Sequence, residues 1–161
     1  MLAIDPIDTA VGLSSTLDLR ERSNDAVGLP LIPRTRDNIP ILDALEDTRS
    51  LRGEPPRFVI DTSFSRSAIS LEYIDRAWPA SQRLRARKAR ERQRPYDLKL
   101  RLPELRDVVR LEPYVLERMG SAWAEDTVVR IDGYLGIDFL YRWLPVIDFR
   151  HWILWLAPLE L

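Results

Sequence analysis

Sustained patterns of apolar and polar positions begin in this chain only after Asn38, and they come in short pieces. Ile39-Pro-Ile-Leu-Asp-Ala-Leu45 reads as an edge strand, since a proline removes one of its donors. Arg52-Gly-Glu-Pro-Pro56 has turn composition and leads into the fully apolar Phe58-Val-Ile60, so the two segments predict a hairpin that ends at Asp61. Ser70 is placed to cap a short helix in which Leu71, Ile74 and Trp78 share one face, Glu72 and Asp75 suit the positive end, and Pro79 stops the run. Period-two alternation in Leu98-Lys-Leu-Arg-Leu102, followed by the apolar-rich Val108-Val-Arg-Leu111 and Thr127-Val-Val-Arg-Ile131, predicts antiparallel strands. Gly136-Ile-Asp-Phe-Leu-Tyr-Arg142 predicts a helical turn. Val146-Ile-Asp-Phe149 and Ile153-Leu-Trp-Leu156 predict a closing hairpin, with His151 in its turn.

Two stretches lack these patterns. Residues 1–37 are rich in Pro, Gly, Ser, Asp and Arg without sustained periodicity, and are expected to form an extended N-terminal arm. Within them Ile7-Asp-Thr-Ala-Val-Gly-Leu-Ser-Ser15 echoes an Asp-Thr turn, but no apolar strand leads into it. Arg83-Leu-Arg-Ala-Arg-Lys-Ala-Arg-Glu-Arg-Gln-Arg94 is built of helix formers with no apolar stripe wide enough to pack, and predicts a solvated helix.

Composition narrows the chemistry. The 161 residues, 45% of them apolar, suit a single domain with one core. There is no cysteine and one histidine, so disulfides, thiolate catalysis and Cys/His zinc sites are set aside, and carboxylates and hydroxyls must carry any reaction. Asp132, Asp138 and Asp148 fall on separate strand ends and turns, so no metal and no cofactor is assigned. No run is long and apolar enough to span a bilayer and Met1–Pro6 does not start a signal peptide, which leaves a soluble, cytoplasmic protein as the expectation, without a membrane partner. Net charge is −1, but residues 76–110 hold 12 Lys/Arg against 4 Asp/Glu, a local +8 that leaves −9 elsewhere.

Two segments share one design, an apolar strand running into a turn of small residues: Phe58-Val-Ile-Asp-Thr-Ser63 and Val128-Val-Arg-Ile-Asp-Gly-Tyr-Leu-Gly136. With Asp61-Thr-Ser-Phe-Ser-Arg-Ser-Ala-Ile-Ser70, Gly136-Ile-Asp-Phe-Leu140 and Val146-Ile-Asp-Phe149 in the same order, this resembles the retropepsin-like (retroviral-type, single-domain) aspartic protease family. The resemblance covers about residues 38–161 and matches poorly between Trp78 and Leu98, where a basic insertion at about 79–97 is expected. It implies a mostly β fold, a closed β barrel or half-sandwich with one or two short helices, acting as a homodimer. It further implies that Asp61 from two copies forms an acid–base pair hydrolysing peptide bonds of a peptide or protein substrate. Thr62 would brace the two loops, Ser63 would hold the third position of the catalytic turn, and Tyr134, Leu135 and Gly136 would support that turn from behind.

The family pattern is broken in two places. Ser63 stands where the family carries glycine, and no glycine occurs from Arg76 to Met119, where the family places a glycine-tipped flap. A flap here is expected around Pro95 or Pro103, or is replaced. Two alternatives follow: a catalytically impaired dimerisation or peptide-binding module of the same fold, and a basic adaptor whose residues 76–110 bind nucleic acid or an acidic partner. Nucleic acid is the less favoured partner, because the basic run has no interleaved aromatics. Trp143, Trp152 and Trp155 are expected in core packing or a dimer interface.

Overall fold

The computed structural model describes residues 26–32, 39–43, 45–51, 53–102, 107–119 and 129–158. Eleven strands and three helices are formed among them. The strands are β1 (Val27–Ile32), β2 (Ile41–Leu42), β3 (Glu46–Asp47), β4 (Phe58–Ile60), β5 (Ala68–Ser70), β6 (Leu98–Leu102), β7 (Asp107–Leu111), β8 (Tyr114–Leu116), β9 (Gly133–Leu135), β10 (Trp143–Asp148) and β11 (Ile153–Pro158). The helices are α1 (Leu71–Ala77), α2 (Ala80–Glu91) and α3 (Ile137–Leu140). The chain is therefore mostly β with few short helices.

Eight strands form one sheet in the order β10-β11-β1-β2-β4-β9-β5-β8, and β3-β6-β7 form a second. The expected closed barrel is not formed among the described residues, because β10 and β8 end the large sheet without pairing to each other. Each of these edges has a reason to stay open. Helix α2 packs beside β8, and β10 carries Pro145, which has no donor to offer a further strand.

Several expected elements form where the pattern put them. Ser70 caps α1, its hydroxyl accepting the Tyr73 N–H at 3.2 Å, and Pro79 follows the last turn. Leu71, Tyr73, Ile74 and Ala77 are buried on one face. Burial pushes the Tyr73 phenol far above its ordinary range, and the Asp47 carboxylate that accepts its proton at 3.0 Å adds to the effect. The β6–β7 and β10–β11 hairpins pair as expected, Leu98 opposite Leu111 and Asp148 opposite Ile153. His151 lies in the β10–β11 turn, where Asp148 accepts from the Arg150 and His151 N–H groups and contacts the imidazole at 2.7 Å. The Asp148 carboxyl sits below its usual range, since these bonds outweigh the desolvation that acts against them.

Three expectations are corrected. Val27–Ile32, assigned to the loose arm, is a strand inside the large sheet, with Leu29 and Leu31 buried. It pairs with β11 over Val27–Pro30 and with β2 over Leu31–Ile32, so Pro30 sits where only one neighbour needs a donor. Residues 1–25, including the Asp-Thr echo, lie outside the described residues. The expected edge strand Ile39–Leu45 shrinks to β2, which lies between β1 and β4 with both residues buried, and the chain crosses to the second sheet by β3. The strand expected at Thr127–Ile131 does not extend over its described part: Val129–Ile131 are irregular, and the strand is β9, starting at Gly133. The basic run is a helix from Ala80 to Glu91, mainly solvated, but anchored by fully buried Ala86. Trp143 and Trp152 pack against the core, and the Trp155 ring covers Gly28.

Candidate functional site

Strand β4 is buried at all three positions, and Asp61 is the first residue past it. β4 and β5 are neighbours in sequence and antiparallel to one another, yet they are not paired. β9 lies between them, parallel to β4 (Val59 opposite Tyr134, Ile60 opposite Leu135) and antiparallel to β5 (Ala68 opposite Tyr134). The connection 61–67 must therefore span two inter-strand spacings, roughly 10 Å, and cannot be a two-residue turn. Small residues let β9 and its sequel fit this gap. A Cβ on Gly133 would stand 2.3 Å from the Ala68 carbonyl oxygen, and one on Gly136 would stand 2.6 Å from the Phe64 oxygen.

Hydrogen bonds fasten the 61–67 turn along its length. The Asp61 N–H donates to the Leu135 carbonyl at 3.0 Å, the Ile137 N–H to the Phe64 carbonyl at 2.9 Å, and the Gly136 N–H to the Ser67 hydroxyl at 3.0 Å. The Ser67 hydroxyl and N–H in turn donate to one oxygen of Asp138, at 2.6 and 2.9 Å. Tyr134, Leu135 and Gly136 are thus brought against the turn by strand pairing and close approach, and Asp138 joins them through its bonds to Ser67 of the turn.

The Asp61 side chain is half-buried. Its Oδ1 accepts from the Ser63 N–H at 2.9 Å and from the Ser63 hydroxyl at 2.6 Å, while Oδ2 has no partner among the described residues. Thr62 and Ser63 are exposed. Phe64, 41% exposed, stacks on Tyr134 with ring centroids 4.4 Å apart. The Tyr134 phenol is pushed up mainly by burial and further by the charges of Asp61 and Asp138, which places it in the field of both carboxylates. Of the expected flap positions, Pro95 lies in the segment entering β6, and Pro103 falls outside the described residues.

The other carboxylates are engaged separately. Buried Asp132 accepts from the Arg57 N–H at 3.1 Å, Arg76 at 3.1 Å and Arg130 at 2.9 Å, just ahead of β9. Among the described residues no three His, Cys, Asp or Glu side chains converge to hold a metal ion, and no helix is long and apolar enough to cross a membrane.

No family model matches the sequence, and neither does any curated protein. Among solved structures the chain is similar to a retropepsin-like aspartic protease from Rickettsia conorii, at 16% identity and a TM-score of 0.44, over 81% of this chain and 88% of that one. Superposition this loose does not assign a family.

Proposed function

We propose that the protein is an aspartic endopeptidase acting as a homodimer, in which Asp61 from each copy forms the catalytic pair. The observation that carries this reading is the setting of Asp61: it follows a buried strand directly, on a turn held from behind by β9 and Asp138, with one carboxylate oxygen lacking a partner among the described residues. The order of retropepsin-like motifs in the sequence supports it. Two such carboxylates in contact cannot both ionise cheaply, so they share a proton and titrate as a unit. The ionised one takes a proton from a water held between them, the protonated one hydrogen-bonds the scissile carbonyl, and the roles reverse as the amine leaves. Thr62 supports the paired loops rather than attacking substrate. Ser63 orients the carboxylate by its two bonds to Oδ1.

A second reading, a non-catalytic dimerisation or peptide-binding module, is favoured by the same serine. Ser63 stands at the position where the resemblance calls for a bare glycine, and its hydroxyl donates to Asp61 Oδ1.

Cleavage of a peptide library by the full chain, from acidic to neutral pH, separates the two, with sedimentation run in parallel. Asn at position 61 retains an acceptor for both Ser63 donors, so Asp61→Asn is expected to keep the fold and the dimer while turnover drops about 10²–10⁴-fold or more. A dimer that cleaves nothing as wild type selects the second reading. A chain that stays monomeric at high concentration removes the Asp61 pair.

A further inference from the structure

The basic run divides into two sets in the folded chain. Arg83 donates to the Asp75 carbonyl at 3.2 Å, Arg87 pairs with the Asp75 carboxylate, and Arg90 pairs with Glu117 just past β8. These arginines fasten α2 to the fold, along with buried Ala86 and the Tyr96 hydroxyl that donates to Gln82 at 2.6 Å. Arg85 and Lys88 in α2, and Arg92 at its C-cap, are different. They recur at spacings of three and four on the side away from Ala86, all are exposed, and none has an ion pair or side-chain hydrogen bond among the described residues. With a rise of about 1.5 Å per residue they form a row of cations roughly 10 Å long. One acid, Glu91, shares this side and is also unpaired among the described residues. One turn before Lys88 stands Leu84, 56% exposed.

Like charges one turn apart repel, and although Lys88 and Arg92 sit at the helix C-terminus, where the dipole favours cations, the row receives no compensating carboxylate from the fold among the described residues. We propose that the outward face of α2 docks an acidic segment of a partner protein, with carboxylates on Arg85, Lys88 and Arg92 and an apolar side chain of the segment on Leu84. The charge row calls for a polyanion, and Leu84 selects which kind. A phosphate backbone would leave Leu84 uncovered, and the face offers no aromatic ring on which a base could stack. Beneath this face the helix is held to the fold by buried Ala86 and by the contacts of Arg83, Arg87 and Arg90. It lies off the end of β5 that leads into α1, whereas the Asp61 turn lies at the strand's start, so docking does not require the reaction proposed for Asp61.

Fluorescence anisotropy with the full chain tests this, using three labelled probes at low salt: a short Glu/Asp peptide with one central leucine, the same peptide with serine there, and a single-stranded oligouridylate of equal charge. The leucine peptide is expected to bind most tightly, by about fivefold over the serine peptide. Arg85→Gln/Lys88→Gln/Arg92→Gln, which keeps helix propensity, is expected to weaken that binding at least about tenfold. Leu84→Ser should make the two peptides equivalent, while Arg150→Glu on the β10–β11 turn and Asp61→Asn should bind as wild type. Failure of the leucine peptide to bind, equal affinity for the two peptides, preference for the oligouridylate, or unaltered binding by the folded triple variant overturns the proposal.

Discussion

At the scale of single residues, Gly136 sets how tightly the candidate catalytic turn is held. An added Cβ would meet backbone on two sides, the Phe64 oxygen at 2.6 Å and the Arg66 carbonyl carbon at 2.9 Å, and backbone there cannot swing aside as a side chain would. Gly136→Ala is therefore expected to cost about 1–3 kcal/mol, read from the shift in urea midpoint, and to lower any peptidase activity with it. Gly53 supplies the contrast: it has a positive φ of 66° with open space around it, so an alanine there meets conformational strain alone, about 1–2 kcal/mol, and should leave Asp61 untouched. If Gly136→Ala left the midpoint and the activity unchanged, the turn would have slack that the geometry denies. Gly136 was legible only through the retropepsin-like resemblance, which implies an apolar-apolar-Gly support behind the turn. The Ser67–Asp138 bond was not, since its two residues lie 71 positions apart and neither carries a local signature of the other.

At the scale of elements, the decisive arrangement is a hairpin opened by a third strand. Local pattern finds β4, a short apolar run bounded by turn residues, but it marks no strand at Ala68–Ser70 and cannot say that β9 enters between β4 and β5. It also misplaced β9 itself. Thr127-Val-Val-Arg-Ile131 has the better alternation, yet β9 is the less regular Gly133-Tyr-Leu135, because Gly133 is the residue that passes under the Ala68 carbonyl and the Phe58 ring. Asp132 is the pin that sets this register: its N–H donates to the Arg57 carbonyl before β4, and its own carbonyl accepts from Ser70 at the end of β5. The buried carboxylate adds bonds from Arg57, Arg76 and Arg130. Asp132→Ala strands those donors and is expected to cost about 3 kcal/mol in denaturant unfolding. A loss below about 1 kcal/mol would mean that the backbone pairing holds β9 without the carboxylate.

At the scale of the whole molecule, the large sheet is completed by a strand that composition concealed. Val27–Ile32 has only two inward positions and a central proline, too little for period-two reading to separate it from the irregular sequence before it, but Leu29 and Leu31 are shielded once β11 and β2 flank them. Leu29→Ala is expected to cost about 2–5 kcal/mol, as for a large-to-small change in a core. A loss of a few tenths, by thermal or urea unfolding, would return the segment to the status of an appendage. The mostly β class and the short helices were readable from pattern; the open sheet was not, because closure depends on which edges meet, and no local run encodes that. The split hairpin also bears on how the molecule is made. β4 and β5 leave a ribosome before the strand that must separate them, which is encoded some seventy residues after β4, so the Asp61 turn cannot take its final shape until Gly136 has been synthesised and β9 has paired with both. Its loop closure is long and its contacts non-local, which makes assembly of this region a late and slow event in folding. A nascent chain ending anywhere short of α3 carries Asp61 without its frame.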